Sequence, residues 1–209
     1  MAESFFQNVI TSEDTLRQLV GRPGPIAVAK QIDRLDANCR AFIAHSPYVL
    51  IGTCDASGHC DVSPKGDAPG FVQVLDDTHL VIPDRPGNNR LDGMRNVLTN
   101  PSVGLLFLVP GQQQTLRVNG RAQLLRDDHL LERMSVGGKR PTLAIGVEVA
   151  EVFMHCGKAS MRSRIWEASQ WPSTAGLPSA ACMLLEHARP EMTLQQMEQR
   201  IEDDKNKLY

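Results

Sequence analysis

The sequence predicts a mainly β protein of the α+β class, in which six or seven antiparallel strands form a barrel flanked by helices. Strand-like runs separated by turn residues fill residues 48–154, whereas apolar residues recur at helical spacing before and after this region. A closed barrel leaves no unpaired strand edge. So many strands in so short a region therefore favour a barrel over an open sheet.

The chain of 209 residues is expected to form one domain, 1–209, made of N-terminal helices (1–47), the barrel (48–154) and a helical C-terminal segment (155–209). Its net charge of −2 argues against a nucleic-acid partner. The longest apolar run, 103–110, is too short to cross a membrane, and the N-terminus lacks the pattern of a signal peptide. We therefore expect a cytoplasmic protein with no membrane partner.

The cysteines are odd in number and form no Cys-x-x-Cys pair, which is typical of reduced thiols. They are Cys39, Cys54, Cys60, Cys156 and Cys182. Cys54 and Cys60 flank a predicted turn and could face each other across a hairpin. Buried free thiols are the favoured interpretation.

Two helices are predicted before the barrel. The first covers residues 11–20, with Thr11 or Ser12 as its cap and Gly21 at its end. The second is an amphipathic helix of about 18 residues, because apolar residues recur at helical spacing from Val28 to Ile43.

The strands follow from changes of periodicity and from turn residues, and together they suggest a meander. Pro64 is expected to break the second strand, and Gly120 to form a bulge. The strand segments are Tyr48–Cys54, His59–Ser63, Phe71–Leu75, Leu80–Ile82, Val103–Val109, Thr115–Leu125 and Leu143–Met154.

Helical segments are also predicted around and after the last strands. Asp127 or Asp128 caps a helix that reaches Met134, and residues 158–168 have helical character. Residues 171–190 are expected to be irregular. Thr193 opens a terminal helix through a capping box.

The segment 82–101 carries the strongest functional signal. It combines a strand end, the turn Pro86-Gly87 and a short helix whose cap would be an asparagine. A helix N-terminus with added arginines is a good seat for a phosphate group, although a solvated loop would show the same turn residues. The residues gathered there are Arg85, Asn88, Asn89 and Arg90.

Two further polar groups lie on predicted strands. Ser63 and Lys65 offer a hydroxyl and an ammonium group where a strand ends. Thr115, Arg117 and Asn119 follow three glutamines and share one strand face, which suits hydrogen bonding to a heterocycle. An ordinary strand end and a solvent-facing strand side are the structural alternatives.

A last group follows the final strand. Lys158, Arg162 and Ser163 lie near a helix start and suit the binding of an anion, while Trp166 either covers a ring or fills the core. His155 and Cys156 do not make a catalytic dyad, because adjacent residues of a strand point to opposite faces. The sequence contains no metal-binding motif and no evident acid–base pair, which a flavin would explain, since the cofactor then carries the chemistry.

These segments together resemble the pyridoxamine 5'-phosphate oxidase-like family. The similar runs are 61–67, 81–98, 100–107 and 116–122. The run His155–Ala159 matches the His-Cys-Gly-Lys-Ala signature of a branch of probable FMN-dependent enzymes. The resemblance implies a split β-barrel and a homodimer with FMN at the interface of its two chains.

The resemblance also implies a role for each group of residues. Ser63 and Lys65 would lie beside the flavin, and the backbone of Val81, Ile82 and Pro83 would contact the isoalloxazine. The FMN phosphate would be held by Arg85, Asn88, Asn89 and Arg90. The other expected contacts are Gln114 and Thr115 from the partner subunit, with Arg117 near the ring, and a closing segment with Lys158, Arg162, Ser163 and Trp166.

The chain departs from the true oxidase at two places. It has Asn89-Arg90 where that enzyme has an Arg-Lys pair, and its tail from Asp203 to Tyr209 does not match the basic substrate motif. We therefore expect an FMN-dependent oxidoreductase that takes electrons from NAD(P)H or another donor and acts on a different small molecule. The alternatives are a non-catalytic flavin carrier or sensor, and a split barrel that binds haem or F420. No metal and no particular catalytic residue are predicted.

Overall fold

The computed structural model of the protein describes residues 5–209, and its centre is one antiparallel sheet of seven strands in the order β2-β1-β5-β6-β7-β4-β3. The strands are β1 (Tyr48–Cys54), β2 (Cys60–Gly66), β3 (Gln73–Val74), β4 (His79–Pro83), β5 (Ser102–Leu108), β6 (Thr115–Leu125) and β7 (Ala144–His155). The predicted fold class is confirmed. The simple meander is wrong, because β1 pairs with β5 and β4 pairs with β7.

The sheet curves into a split barrel around a single main core. Alternate residues of each long strand point inward, so that Val49, Leu105, Val118 and Val152 belong to the same buried cluster. The strands β2 and β3 are the two ends of the strand order. The split of the barrel therefore lies between these two ends of the sheet.

The split is bridged by side chains. Lys65 on β2 donates a hydrogen bond of 2.8 Å from Nζ to Oδ1 of Asp84, which directly follows β4. This ion pair joins strands that are far apart in the strand order, and it marks the point at which the sheet comes round on itself.

The long strands β6 and β7 shift register at the predicted bulge. The shift falls between Asn119 and Gly120. A Cβ atom on Gly120 would lie 2.1 Å from the carbonyl oxygen of Glu148, which is closer than any real contact. Only glycine fits this position, and the bulge prediction is confirmed.

Eight α-helices surround the sheet in the described part of the chain. They are α1 (Glu13–Val20), α2 (Pro25–Ala29), α3 (Ala37–His45), α4 (Asp92–Thr99), α5 (Asp128–Arg133), α6 (Lys158–Ser163), α7 (Ala180–Ala188) and α8 (Leu194–Lys205). The predicted capping box at Thr193 and the cap at Asp127 are both present.

The long helix predicted between Val28 and Ile43 is wrong. The backbone of Ile32 instead exchanges hydrogen bonds of 3.0 and 2.8 Å with Val152 on β7, so the chain runs extended between α2 and α3. The Asp36 carboxylate then accepts from the N–H of Cys39 and starts a new helix. Tertiary pairing has overridden a continuous apolar pattern.

Three other expectations need correction. Pro64 does not break β2, because β2 is an edge strand and the missing N–H costs no ladder bond on the solvent side. The helical character predicted for 158–168 ends at Ser163, where Arg164 takes a left-handed conformation (φ 50°). Residues 180–188 form α7, capped by Ser179, where irregular structure was expected.

The cysteines differ from the expectation of buried thiols. Only Cys39 is buried, and burial raises the pKa of its thiol to about 11. Cys60, Cys156 and Cys182 are exposed. Cys54 and Cys60 do face each other as direct partners of the β1–β2 ladder.

No helix within residues 5–209 is both long enough and apolar enough to span a membrane.

Candidate functional site

A cavity of about 310 Å³ opens at the split of the barrel. One wall is β1 and β2, the opposite wall is the loop between β4 and α4, and the first turn of α4 closes one end. Its polar and charged lining residues are Thr53, Ser63, Lys65, Asp84, Arg85, Asn88, Asn89, Arg90 and Asp92. The structure therefore brings Ser63 and Lys65 together with all four residues predicted for the phosphate turn.

The loop before α4 has a specific backbone shape. The side-chain oxygen of Asn88 accepts a hydrogen bond of 3.1 Å from the N–H of Arg90. Asn89 and Leu91 both adopt positive φ angles (56° and 60°), which turn the chain sharply into the helix. Leu91, and neither asparagine, is the N-cap residue, so the predicted asparagine cap is wrong.

The first turn of α4 lies close to the strands. The N-cap residue Leu91 has no side-chain oxygen, and no side chain in the described part of the chain caps α4. The backbone N–H groups of the first helical turn therefore receive no side-chain cap. A Cβ on Gly93 would lie 3.3 Å from Oγ1 of Thr53. The absence of a side chain at Gly93 therefore lets the helix start approach the cavity wall.

Each cation at the cavity is paired with a carboxylate. Lys65 pairs with Asp84, as described above, and Nε of Arg90 lies 2.8 Å from Oδ2 of Asp92. The Arg90 side chain is 73% exposed, so this pair can separate at little cost. The hydrogen bond that Arg90 donates to Asp92 raises the pKa of Arg90.

Arg85 is held much more firmly than Arg90. Its Nε donates to Oδ2 of Asp67 over 2.7 Å, and the hydroxyl of Tyr209 donates to the other carboxylate oxygen over 2.6 Å. Burial alone would raise the pKa of Asp67. The hydrogen bonds from Tyr209, from the N–H of Ala68 and from Arg85 outweigh burial and lower this pKa.

A second groove, of about 350 Å³, shares the wall formed by Ser63, Lys65, Arg85 and Asn88. Pro83 lines this groove. Val81 and Ile82 are buried inside the protein, Ile82 in the main core and Val81 against α5. Of the predicted β4 contacts, only Pro83 therefore lines either cavity.

Two of the remaining predicted residues, Thr115 and Trp166, belong to a second group of contacts, the Trp166 cluster. The indole N–H of Trp166 donates to the carbonyl oxygen of Gln112 over 2.7 Å, and Gly157 packs directly against Gln113. Thr115 pairs with His155 in the β6–β7 ladder. The cluster thus joins the β5–β6 loop to the start of α6. None of the remaining predicted residues lines the cavity; these are Gln114, Thr115, Arg117, Lys158, Arg162, Ser163 and Trp166.

Arg117 is tied to neighbours on β7. One Nη atom donates to Glu151 over 2.7 Å, and the guanidinium lies 4.1 Å from the ring centre of Phe153. Its Nε is buried without a hydrogen-bond partner. Burial, together with the charges of Arg117 and Lys30, lowers the pKa of His155.

Sequence reasoning missed a buried polar network beneath α4. The side-chain amide of Asn96, itself buried, donates to Oγ1 of Thr53 (3.1 Å) and to Oδ2 of Asp61 (2.8 Å). These bonds tie α4 to both β1 and β2. An asparagine between the apolar residues Met94 and Val97 was the available signal, because a polar side chain on the buried face of a helix needs a partner.

Residues 35–156, more than half of the chain, match the family model of pyridoxamine 5'-phosphate oxidase. The chain belongs to this family. No curated protein matches the sequence.

Several solved structures are similar to this chain at low sequence identity. HupZ of Group A Streptococcus is 17% identical, with 57% of this chain and 92% of that chain covered (TM-score 0.46). A putative pyridoxamine 5'-phosphate oxidase of Lactobacillus delbrueckii is 22% identical, with 58% of this chain and 99% of that chain covered (TM-score 0.44). An FMN-binding protein of Syntrophomonas wolfei is 11% identical, with 55% of this chain and 82% of that chain covered (TM-score 0.44). Matches this weak say nothing about the ligand of this protein.

The match to the pyridoxamine 5'-phosphate oxidase family covers the loop before α4 and ends at Cys156. It therefore includes the cavity, but only the first two residues of the His155–Ala159 signature. Assignment to the branch defined by that signature stays a prediction.

Proposed function

We propose that the protein binds FMN with its phosphate at the start of α4 and acts as an FMN-dependent oxidoreductase on a small molecule. The observation that carries this proposal is the convergence of Lys65, Arg85 and Arg90 on one cavity at an uncapped helix start. Membership of the pyridoxamine 5'-phosphate oxidase family supports it.

The residues at this helix start suit a phosphate group. Unpaired N–H groups of a first turn, the positive end of the helix dipole and a guanidinium all favour a bound dianion. Gly93 leaves the helix start open, because a side chain there would crowd Thr53. Asn88 and Asn89 shape the loop so that its backbone follows the cavity edge.

The two arginines have different parts in this proposal. Arg85 is oriented in advance by Asp67, so little side-chain entropy is lost when it meets an anion. Arg90 is exposed and can leave Asp92 for the phosphate. Both would form charge-assisted hydrogen bonds with phosphate oxygens.

We further propose that the working protein is a homodimer. The cavity of about 310 Å³ is at the lower end of the range for ligand sites, so a complete FMN needs additional wall. The cluster around Gln114, Thr115 and Trp166 lies outside the cavity of its own chain. A second copy of the chain could bring this cluster to the flavin ring.

When bound, FMN would supply the two-electron chemistry, with NAD(P)H or another donor as the source of electrons. The protein would bind and orient the cofactor. Lys65 lies on the cavity wall, half-buried, with its ammonium group held by Asp84. This position suits a hydrogen bond to the flavin ring.

A second candidate is a flavin carrier or sensor without turnover. It is favoured by one feature of the cavity: its charged lining residues Lys65, Asp84, Arg85, Arg90 and Asp92 all take part in ion pairs. None of these five is left as an evident proton donor in the structure.

The cofactor is tested by titrating the purified protein with FMN and following the quenching of flavin fluorescence. Saturable binding with one FMN per chain is the expected result. A saturable shift of the Soret band of added haem, or binding of F420, in a protein that does not respond to FMN would contradict the proposal. Sedimentation with and without FMN tests the dimer.

Turnover is a separate question with its own measurement. FMN-loaded protein is mixed with NADH or NADPH without oxygen, and the flavin absorbance is followed. Bleaching that reverses in air supports the oxidoreductase. Tight FMN binding with no bleaching by either donor supports the carrier over an NAD(P)H-dependent enzyme.

A further inference from the structure

The β1–β2 hairpin places two cysteines directly opposite each other. Cys54 and Cys60 are partners in the antiparallel ladder, one pair away from the turn. The N–H of Asp55 donates to the carbonyl oxygen of His59 over 2.9 Å, which makes Asp55 and His59 the hydrogen-bonded pair. Because the two kinds of pair alternate, Cys54 and Cys60 form a non-hydrogen-bonded pair.

This kind of pair has the spacing that a disulfide requires. The Cα atoms of a non-hydrogen-bonded pair lie about 4.5 Å apart, and their side chains are on the same face of the sheet. Disulfides span Cα distances of about 4.4–6.8 Å. The bond can therefore form without separating the two strands.

The turn holds this arrangement in place. Oδ1 of Asp55 accepts from the N–H and hydroxyl of Ser57 and from the N–H of His59, and Gly58 supplies the positive φ angle (94°) that closes the loop. These contacts fix both ends of the hairpin beside the cysteines. The two thiols are thus brought together by the native fold.

We propose that Cys54 and Cys60 form a reversible intramolecular disulfide by exchange with a small-molecule disulfide such as oxidised glutathione. The exposed Cys60 thiolate attacks one sulfur of the reagent, whose S–S bond breaks and releases one glutathione, which takes up the proton lost by Cys60. Cys54 then loses its proton and attacks Cys60 in this mixed disulfide, releasing the second glutathione. The protein loses two electrons, and the reagent gains them as two thiols.

The order of these steps follows from the surroundings of each thiol. Cys60 is exposed and Cys54 is only partly accessible. The hydrogen bond with Cys60, together with burial and the charge of Asp55, raises the pKa of Cys54. Cys54 is therefore the poorer nucleophile towards a reagent in solution, and it reacts when the mixed disulfide is already beside it.

The disulfide would fasten the hairpin end that supports α4. Thr53 and Asp61, the neighbours of the two cysteines, are the residues that hold the amide of Asn96. Oxidation would thus rigidify one wall of the cavity. The inference itself requires no bound cofactor.

The test uses the whole protein and oxidised glutathione, followed by alkylation of the remaining thiols and digestion with trypsin. Cleavage after Arg40 and Lys65 releases residues 41–65, which contain Cys54 and Cys60 and no other cysteine. We expect this peptide to be recovered without alkylation and lighter by two hydrogen atoms. Free thiols within this peptide should fall from two to none, and dithiothreitol should restore both.

Variants distinguish the proposed steps. Cys54→Ser should stop at glutathione bound to Cys60, whereas Cys156→Ser, a change at another exposed cysteine, should leave the disulfide unaffected. Recovery of wild-type peptide 41–65 with both thiols alkylated after exposure to excess oxidised glutathione would overturn the proposal. So would a peptide that carries one glutathione on each cysteine.

Discussion

The Nε atom of Arg85 donates to a carboxylate oxygen of Asp67 over 2.7 Å, and only 2% of the Asp67 side chain is exposed. Asp67 lies directly after β2, while Arg85 lies shortly after β4. The pair therefore connects the two sides of the split in the barrel, as Lys65 and Asp84 do next to it. Charge pairing across the split holds the cavity walls at their observed separation.

Replacement of Asp67 should make the protein less stable at neutral pH. The pKa of Asp67 is lowered in the folded state, so its stabilising effect is present above about pH 4 and is lost as the pH falls through the folded-state pKa. For Asp67→Asn we expect a loss of about 1–3 kcal/mol in the free energy of unfolding at pH 7. The difference from wild type should shrink in acid, as measured by urea unfolding at several pH values.

The matched control for Asp67 is Asp128→Asn. Asp128 also pairs with an arginine, Arg140, over 2.7 Å, but its side chain is 81% exposed. An exposed pair contributes about 0–1 kcal/mol, so this variant should stay close to wild type. Equal effects of the two substitutions would show that burial of the Asp67–Arg85 pair is unimportant.

Removing the two arginines should weaken FMN binding. The double variant Arg85→Ala/Arg90→Ala loses charge-assisted hydrogen bonds to the phosphate, and we expect the Kd for FMN to rise at least about tenfold, or about 1.4 kcal/mol. Riboflavin, which lacks the phosphate, should bind wild type and the double variant almost equally. Fluorescence titration measures both ligands.

Arg140→Ala provides the control for charge and for loss of an arginine, because Arg140 pairs with the exposed Asp128 at the start of α5. Its FMN affinity should equal that of wild type. An unchanged Kd for FMN in a folded double variant would place the phosphate elsewhere. Circular dichroism establishes that the double variant is folded.

Local sequence patterns predicted most of the strands, and the reasons differ from element to element. The strand Thr115–Leu125 was predicted with its observed limits, because alternation and Gly120 both act within the strand itself. The helix expected over Val28–Ile43 failed, since Ile32 pairs with a strand more than a hundred residues away. No local pattern carries that information.

Local sequence patterns also predicted one part of the candidate site and missed another. The turn residues Arg85 to Arg90 were found from composition and spacing, and the structure gathers them with Ser63 and Lys65. Asn96 was missed, because its partners lie on two strands that are distant in sequence. The separation of the Trp166 cluster from the cavity likewise depends on the three-dimensional arrangement.

Asn96 should contribute strongly to the attachment of α4. Asn96→Ala removes hydrogen bonds to Thr53 and Asp61 and leaves a partly buried carboxylate without this donor, so we expect a loss of about 1–3 kcal/mol in the free energy of unfolding. Urea unfolding provides the measurement. Leu98→Ala on the same helix is the control, because Leu98 is 73% exposed and should change stability little. Similar losses for both variants would contradict a special role of the Asn96 network.

Gly120 should not tolerate even the smallest side chain. A Cβ at this position would lie 2.1 Å from the Glu148 carbonyl oxygen and 3.2 Å from the side chain of Val147. Because the closest atom belongs to the backbone of β7, relief requires β6 and β7 to separate locally. We expect Gly120→Ala to lower the free energy of unfolding by about 1–3 kcal/mol or more.

Gly52→Ala in β1 is the matched control, since its Cβ would make an ordinary contact of 3.6 Å with Gly104. Urea unfolding of both variants under the same conditions measures the two free energies of unfolding. Equal values would mean that the β6–β7 bulge accommodates a methyl group. Steric exclusion would then not be the reason for glycine at this position.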